Sequence, residues 1–217
     1  CPLASEQGII RLVLREMVRQ AAAIGATGMI FASGGPSPEH AGPEHHAAFR
    51  ELCRWLCGEL KPHGITALLE PFDTDVDKCF LYGPTRQCVE LVRSLQPEVD
   101  NFGIELDMAH LPLMGEEFRP AIEAAAPVLR RVHLGNCVKR DPSHPLHGDK
   151  HPPMGLPGGE IDVPELTVIL RALRDVGFLD RGQRGSLVLE MTPWPGRSVE
   201  ETIRDAMARL DAAWRAA

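Results

Sequence analysis

Apolar residues alternate along the chain between short uninterrupted runs and helically spaced series. The runs are bounded by glycine, proline or charged residues and are rich in β-branched side chains, which is typical of buried strands. They predict five β-strands with the sequences GMIFASGG, ITALLE, FGIELD, RVHL and GSLVLE.

Between these runs, apolar residues recur at i, i+3, i+4 and i+7, the spacing that places them on one face of a helix. This spacing predicts helices at 5–24, around 49–60, at 85–95, up to about 128, after 162 and after 198. Residues 36–46 are predicted as a loop. Asp162 with Glu165, and Ser198 with Glu201, have the spacing of a capping box at a helix start.

Two of the predicted helices carry a long apolar stripe. In the first helix it comprises Ile9, Leu12, Val13, Met17, Ala21 and Ile24. In the last helix it comprises Val199, Ile203, Ala206, Met207, Leu210 and Trp214. Both helices are therefore predicted to be amphipathic.

The alternation of strands and helices predicts an α/β fold with a parallel sheet covered by helices. Two architectures fit, a doubly wound sheet and a (β/α)8 barrel. No Gly-x-Gly-x-x-Gly follows a strand, so the dinucleotide-binding version of the first lacks its fingerprint. The second requires eight strands in about 250 residues, of which this chain would supply five.

Composition narrows the class of protein. With 217 residues, 44% hydrophobic and 24% charged, one domain over residues 1–217 is expected. The chain has no apolar run of about 20 residues and no secretory signal pattern, so a cytoplasmic protein without a membrane partner is expected. The six cysteines form no Cys-x-x-Cys pair and are predicted to be reduced thiols. A net charge of −7 disfavours nucleic acid as a partner.

Four consecutive strands end in chemically functional residues, namely Glu70, Asp107, His133 and Glu190. Sites in parallel α/β folds lie at the carboxyl ends of strands. Each residue alone could be a helix cap or the start of a solvated loop. Together they are a mixed oxygen and nitrogen ligand set, and three clustered carboxylates would be costly to bury without a cation. The four residues predict a divalent metal site.

Further histidines follow these strands. His110 lies three residues after Asp107, where substrate contact is expected. The loop HPLHGDKHPPMG contains His144, His147, Asp149 and His151. Asp149 and His151 could bind a second metal, or the loop could be a proline-rich lid whose histidines only form hydrogen bonds. The sequence does not distinguish a second metal site from a lid.

The motifs LLEP, LDMAH, HLGN and LVLEM, in this order, resemble the xylose isomerase-like TIM-barrel superfamily of sugar isomerases and epimerases, which includes endonuclease IV. The resemblance implies that these are strands five to eight of a (β/α)8 TIM barrel and that GMIFASGG is the fourth. This chain would then cover strands 4–8 and their helices. We expect the natural protein to carry about 70 to 90 further N-terminal residues, judged from the usual barrel length.

The resemblance also implies a function. Glu70, Asp107, His133 and Glu190 match the metal ligands, and Glu70 and Glu190 match the acid/base pair that transfers a proton through a cis-enediolate. A sugar or sugar derivative would be isomerised or epimerised with one Mn²⁺, Co²⁺ or Mg²⁺ ion, with Zn²⁺ as an alternative. His110, Lys139 and His151 are the expected substrate-binding residues, although epimerases of this group often have arginine in place of Lys139.

Two other functions stay open. Asp149 and His151 match a zinc-binding Asp-x-His of endonuclease IV, which implies a zinc-dependent AP endonuclease or phosphodiesterase; however, Ser33 stands where that nuclease has a histidine. A non-catalytic barrel that binds a sugar or a partner chain is the third alternative. Association into a homo-oligomer is also open.

Overall fold

The computed structural model describes residues 4–217 except 181, 183, 184 and 195. The chain divides into two compact units, Cys1–Glu105 and Leu106–Ala217, each with its own internal contacts. The expectation of a single domain over residues 1–217 stays a prediction.

The first unit consists of helices and strands in alternation. Its elements are α1 (Ala4–Ala23), β1 (Gly28–Phe31), α2 (Pro43–Leu60), β2 (Thr66–Leu69), α3 (Thr85–Leu95) and the first part of β3 (Phe102–Asp107), with 3-10 turns at Pro38–His40 and Lys61–His63. β1 pairs parallel with β2, and β2 pairs parallel with β3. These pairings confirm the parallel sheet expected from the sequence.

The second unit continues this alternation from the end of β3. Its further elements are α4 (His110–Met114), α5 (Phe118–Ala125), β4 (Leu129–Leu134), α6 (Val163–Asp175), β5 (Ser186–Leu189) and α7 (Val199–Ala216). The Met108 N–H donates to the His133 carbonyl at 3.0 Å, and β4 pairs parallel with β5. The strand order is β1-β2-β3-β4-β5, so consecutive strands are neighbours as in a (β/α) barrel.

The five predicted strands and both predicted capping boxes are present. Two helical segments differ from the prediction. Helix α2 begins at Pro43, within the predicted loop, because proline suits the first turn of a helix, where its missing N–H is not needed. The five-residue helix α4 is too short to produce a periodic pattern, and it was not predicted.

The apolar stripes of α1 and α7 are largely exposed. On α1, the exposed large side chains are Ile9, Leu12, Val13 and Met17, and Ile24 directly after the helix is exposed as well. On α7, they are Val199, Ile203, Met207 and Trp214. Amphipathic spacing identifies a helix but not what covers its apolar face. None of the helices in the described residues has the length and apolar character needed to cross a membrane.

The cysteines in the described residues are free thiols. Cys53, Cys57, Cys88 and Cys137 are buried, and burial raises the pKa of Cys57 to about 12. Such thiols behave as small core side chains. Cys1 lies outside the described residues.

A single buried side chain, Asn136, fixes both ends of the long loop between β4 and α6. Its Oδ1 accepts from the N–H groups of Cys137, Glu160 and Ile161, and its Nδ2 donates to the carbonyl of Pro153. These four bonds hold the base of the loop 137–160 in one conformation. The alternative that this loop is a lid therefore applies only to its exposed tip and stays open.

We predict that Asn136→Ala destabilises the second unit by about 3 kcal/mol, because buried N–H groups lose their acceptor. Denaturant unfolding would measure the loss, and limited trypsin digestion should show faster cleavage after Lys139 and Arg140. Ser143→Ala is the matched control, since the Ser143 hydroxyl donates to Asp141 at the exposed tip, away from the base of the loop. An Asn136→Ala protein as stable and as resistant as this control would contradict the role of Asn136.

Candidate functional site

The carboxylate of Asp107 is fully buried at the carboxyl end of β3. Its Oδ1 accepts from the N–H of Ala109 at 2.7 Å, which turns the chain sharply after the strand. Its Oδ2 is buried and forms no hydrogen bond within the described residues. Burial raises the pKa of Asp107, because desolvation disfavours the charged carboxylate more than the nearby His110 and His151 favour it.

His133 and Glu190 lie next to Asp107, from the following two strands. His133 is in β4, and Glu190 directly follows β5, where its N–H donates to the Leu134 carbonyl. The Nδ1 of His133 lies 2.5 Å from Oε2 of Glu190 and 3.8 Å from Oδ2 of Asp107. The imidazole of His133 lowers the pKa of Glu190, which keeps this half-exposed carboxylate ionised.

Asp149 connects the two other histidines of the site. Its buried Oδ1 lies 2.7 Å from Nε2 of His151 and 3.3 Å from Nε2 of His110. Burial alone would raise the pKa of Asp149, but the two imidazoles outweigh it and hold that pKa far below its usual range. Burial likewise opposes the charged form of His151, yet contact with Asp149 and the field of Asp107 raise its pKa. Asp149 is therefore an ionised carboxylate between two imidazoles.

His151 is held in place by its backbone and by a glycine. Its φ of 46° lies in the left-handed region, which non-glycine residues rarely adopt outside constrained sites. Its carbonyl accepts from the N–H of Thr192 at 2.7 Å. A Cβ on Gly135 would lie 2.6 Å from Nδ1 of His151 and 3.0 Å from Oδ1 of Asp107. Only glycine at position 135 lets the imidazole lie this close to the end of β4.

These side chains form two groups that could hold a metal ion: Asp107 with His133 and Glu190, and Asp107 with His110 and His151. In each group, one donor atom from every residue lies within 4.8 Å of the others. Two ligands that are each about 2.1 Å from a cation lie roughly 3 to 4.2 Å apart. Oδ2 of Asp107 meets this condition with Nδ1 of His133 at 3.8 Å and with Nδ1 of His151 at 3.9 Å. A buried carboxylate oxygen without a hydrogen bond in the described residues, between two imidazole nitrogens, fits a divalent cation.

Two further sequence-predicted residues have the following contacts. Glu70 directly follows β2 in the first unit, and its N–H donates to the Phe31 carbonyl. Nζ of Lys139 donates to the carbonyl of Pro112 at 2.7 Å, so this ammonium stabilises the end of α4. The metal role of Glu70 and the substrate role of Lys139 stay predictions.

Some residues that shape the site region were not identified from the sequence. Glu105 is fully buried in β3, where the apolar run FGIELD concealed an acidic residue. Gly135 and Asn136 belong to the motif HLGN, but their structural roles are evident only from their contacts in the structure. A glycine directly after a strand was the available signal, since it often marks a close approach of other groups to the backbone.

The fold has many solved relatives at low sequence identity. A D-psicose 3-epimerase with D-tagatose from Clostridium cellulolyticum H10 superposes with a TM-score of 0.72 at 17% identity, over 100% of this chain and 73% of that one. An AP endonuclease, family 2, from Brucella melitensis gives 0.68 at 20% identity, over 95% and 70%. A 3-keto-D-glucoside 4-epimerase from E. coli gives 0.62 at 16% identity, over 91% and 68%. These similarities show the fold, a partial TIM barrel.

The sequence comparison is consistent with this fold. No curated protein matches the chain in sequence. The profile of one protein family, described as xylose isomerase-like TIM barrel, matches residues 5–213 and hence nearly the whole chain. The chain belongs to the xylose isomerase-like TIM barrel family.

Proposed function

We propose that this chain is part of a divalent-metal-dependent isomerase or epimerase that acts on a sugar or sugar derivative. The observation that carries the proposal is the buried Asp107 carboxylate, whose Oδ2 lies between the imidazoles of His133 and His151. A protein that used Asp107 only for structure would be expected to pair both oxygens, because an unpaired buried charge is destabilising. Two of the similar structures, a D-psicose 3-epimerase and a 3-keto-D-glucoside 4-epimerase, support the same reaction class.

Asp107, His133 and Glu190 would hold the cation, and the family pattern adds Glu70 as the fourth ligand. A bound divalent ion would supply a Lewis acid that polarises the carbonyl of the substrate. The mixed oxygen and nitrogen donors suit Mn²⁺, Co²⁺, Mg²⁺ or Zn²⁺.

Glu190 and Glu70 would transfer the proton. Glu190 is ionised, and it is half-exposed at the end of β5, so it can accept a proton from the carbon next to the substrate carbonyl. Loss of that proton to Glu190 gives a cis-enediolate, and Glu70, starting as the carboxylic acid, donates its own proton to carbon in the second step. Exchange with solvent then removes the proton from Glu190 and reprotonates Glu70. Glu70 enters this proposal through the family pattern alone.

The histidines and Asp149 would orient the substrate. With Nε2 of His151 at hydrogen-bonding distance from Asp149, the proton of a neutral His151 is on Nε2, and Nδ1 presents a lone pair. Asp149 thereby sets the tautomer of His151 in the way that a second carboxylate orients a catalytic imidazole. His110, which shares the same oxygen of Asp149, is oriented with it.

We predict that Asp107→Asn abolishes stable metal binding but does not destabilise the metal-free protein. The raised pKa of Asp107 means that its charge opposes folding, so a neutral amide of the same shape should leave the metal-free melting temperature unchanged or higher. Added Mn²⁺ should raise the melting temperature of the original protein only.

Calorimetric melting with and without Mn²⁺, and elemental analysis after dialysis, would measure both effects. Asp141→Asn at the exposed loop tip is the matched control, because it makes the same chemical change away from the site. A metal-free Asp107→Asn protein that melts several degrees lower would mean that Asp107 is a structural residue.

A second prediction addresses the chemistry. The original protein with Mn²⁺ should incorporate solvent deuterium at the carbon next to the carbonyl of a ketose, and Glu190→Gln should slow this exchange by roughly 100-fold. Mass spectrometry of a ketose panel would measure the exchange. The proposed reaction is wrong if the metal-loaded complete protein exchanges no carbon-bound proton in any substrate that it binds.

Zinc-dependent cleavage of phosphodiesters is a second candidate function, favoured by the cluster of His110, Asp149 and His151. One of the similar structures is an AP endonuclease of family 2. The two functions assign different roles to Asp149, which orients histidines in the first and binds zinc in the second. The net charge of −7 fits a DNA substrate poorly.

Asp149→Asn separates these candidates. If Asp149 only orients His151, the variant keeps its metal content while deuterium exchange falls by about 10- to 100-fold. If Asp149 binds a second zinc ion, the zinc content per chain falls, and cleavage of an abasic-site duplex by the original protein falls with it. Zinc titration with both substrates distinguishes the outcomes.

A further inference from the structure

The side chain of Lys139 ends at helix α4, which begins with His110. Its Nζ donates to the carbonyl of Pro112 at 2.7 Å. A Cβ on Gly115, the residue after α4, would lie 3.7 Å from the same Nζ. The ammonium therefore lies where the last carbonyls of the helix lack N–H donors within it. Lys139 thus joins the long loop after β4 to α4.

Helix α4 is too short to fix its own orientation. It spans five residues, His110–Met114, and Pro112 within it has no backbone N–H to donate. Helices this short are not stable without outside contacts. Before the helix, the chain is fixed where the N–H of Ala109 donates to Asp107 at 2.7 Å. Lys139 supplies a second fixed point within the helix.

The backbone of Lys139 is itself held in place. Its N–H donates to Oε1 of Glu160 at 3.3 Å, and the Glu160 side chain is only 8% exposed. The other oxygen of this carboxylate lies 2.7 Å from the guanidinium of Arg140. The N–H of Glu160 donates in turn to Asn136, which fixes the base of the loop. The Lys139 side chain therefore extends from a rigid base.

Lys139 also adjoins the segment that carries Asp149. The carbonyl of Val138, the preceding residue, accepts from the N–H of Gly148 at 2.8 Å, and Asp149 follows directly. Nε2 of His110 lies 3.3 Å from Oδ1 of Asp149. The imidazole and the carboxylate are therefore connected twice, once by their own contact and once through Lys139.

We propose that Lys139 is a positioning residue, which orients His110 towards Asp149 and acts on the substrate through that imidazole rather than by direct contact. The inference rests on the proposed function for the role of His110 in substrate binding. It differs from the substrate contact that the family resemblance implies for position 139. The distance of 3.3 Å exceeds the roughly 2.9 Å typical of an N–H···O bond, so a shift of α4 by about 1 Å would break the contact.

Lys139→Met removes the donor and nearly keeps the length of the side chain. The variant should fold, because the Pro112 carbonyl still accepts from the N–H of Gly115 at 3.0 Å. Metal content should stay unchanged, and deuterium exchange into a ketose should slow about 10-fold, since misplaced groups lose efficiency steeply. Lys61→Met is the matched control, because Lys61 is an exposed lysine of the first unit that pairs with Asp100.

A double-mutant cycle separates positioning from direct contact. If Lys139 acts through His110, Lys139→Met should slow a His110→Asn protein by less than about twofold, because the group that it positions is already lost. If the ammonium binds the substrate itself, the same substitution should again slow exchange about 10-fold. Full additivity of the two losses overturns the proposal.

The imidazole of His110 also gives a readout that needs no substrate. In ¹⁵N NMR of the Mg²⁺-loaded complete protein, the His110 signal is the one that His110→Asn removes. Lys139→Met should shift this signal and Lys61→Met should not, since only the former releases α4. An unmoved His110 signal in Lys139→Met overturns the positioning role. A shifted signal in a protein that exchanges no deuterium would instead support this role and contradict the proposed reaction.

Discussion

The site of the second unit depends on one costly interaction, the burial of the Asp107 carboxylate. Taking a charged carboxylate out of water is unfavourable unless partners compensate, and the raised pKa of Asp107 records an incomplete compensation. One oxygen is satisfied by the N–H of Ala109, and the other faces two imidazoles without a hydrogen bond in the described residues. An unfavourable buried charge of this kind is typically retained at functional sites.

The surroundings limit that cost without removing it. Glu190 is kept ionised by His133, and Asp149 is kept ionised by two imidazoles, so each imidazole that Asp107 faces is shared with a second carboxylate. Negative charges are thus separated by imidazoles around the ends of the strands. This separation allows three acidic groups to lie in one small region.

Most of the fold, and the main part of the site, could be predicted from the sequence because parallel strands follow a simple rule. Strand ends in such a sheet lie at one edge, so Asp107, His133 and Glu190 were expected to meet, and they do. The strands themselves were recognisable as short apolar runs. The capping box at Asp162 was recognisable because it depends only on residues three apart.

The remainder depended on contacts between residues distant in sequence. The motif HLGN does not indicate that Gly135 leaves room for the imidazole of His151, sixteen positions later. It also does not indicate that the Asn136 side chain accepts a hydrogen bond from Ile161. Helix α4 was missed because five residues cannot show a period of 3.6. The exposure of the apolar stripe of α7 could not be read from periodicity, which is the same for a buried and an uncovered face.

The anchoring of the long loop has a consequence for how this protein can diverge. The N–H of Gly148 donates to the Val138 carbonyl, which closes residues 139–147 as a separate excursion before Asp149 is reached. The entropy of closing such an excursion grows only slowly with its length. Sequences inserted near Ser143 would therefore leave Asp149 and His151 in place, and descendants of this chain can acquire new surface recognition there without rebuilding the chemical centre.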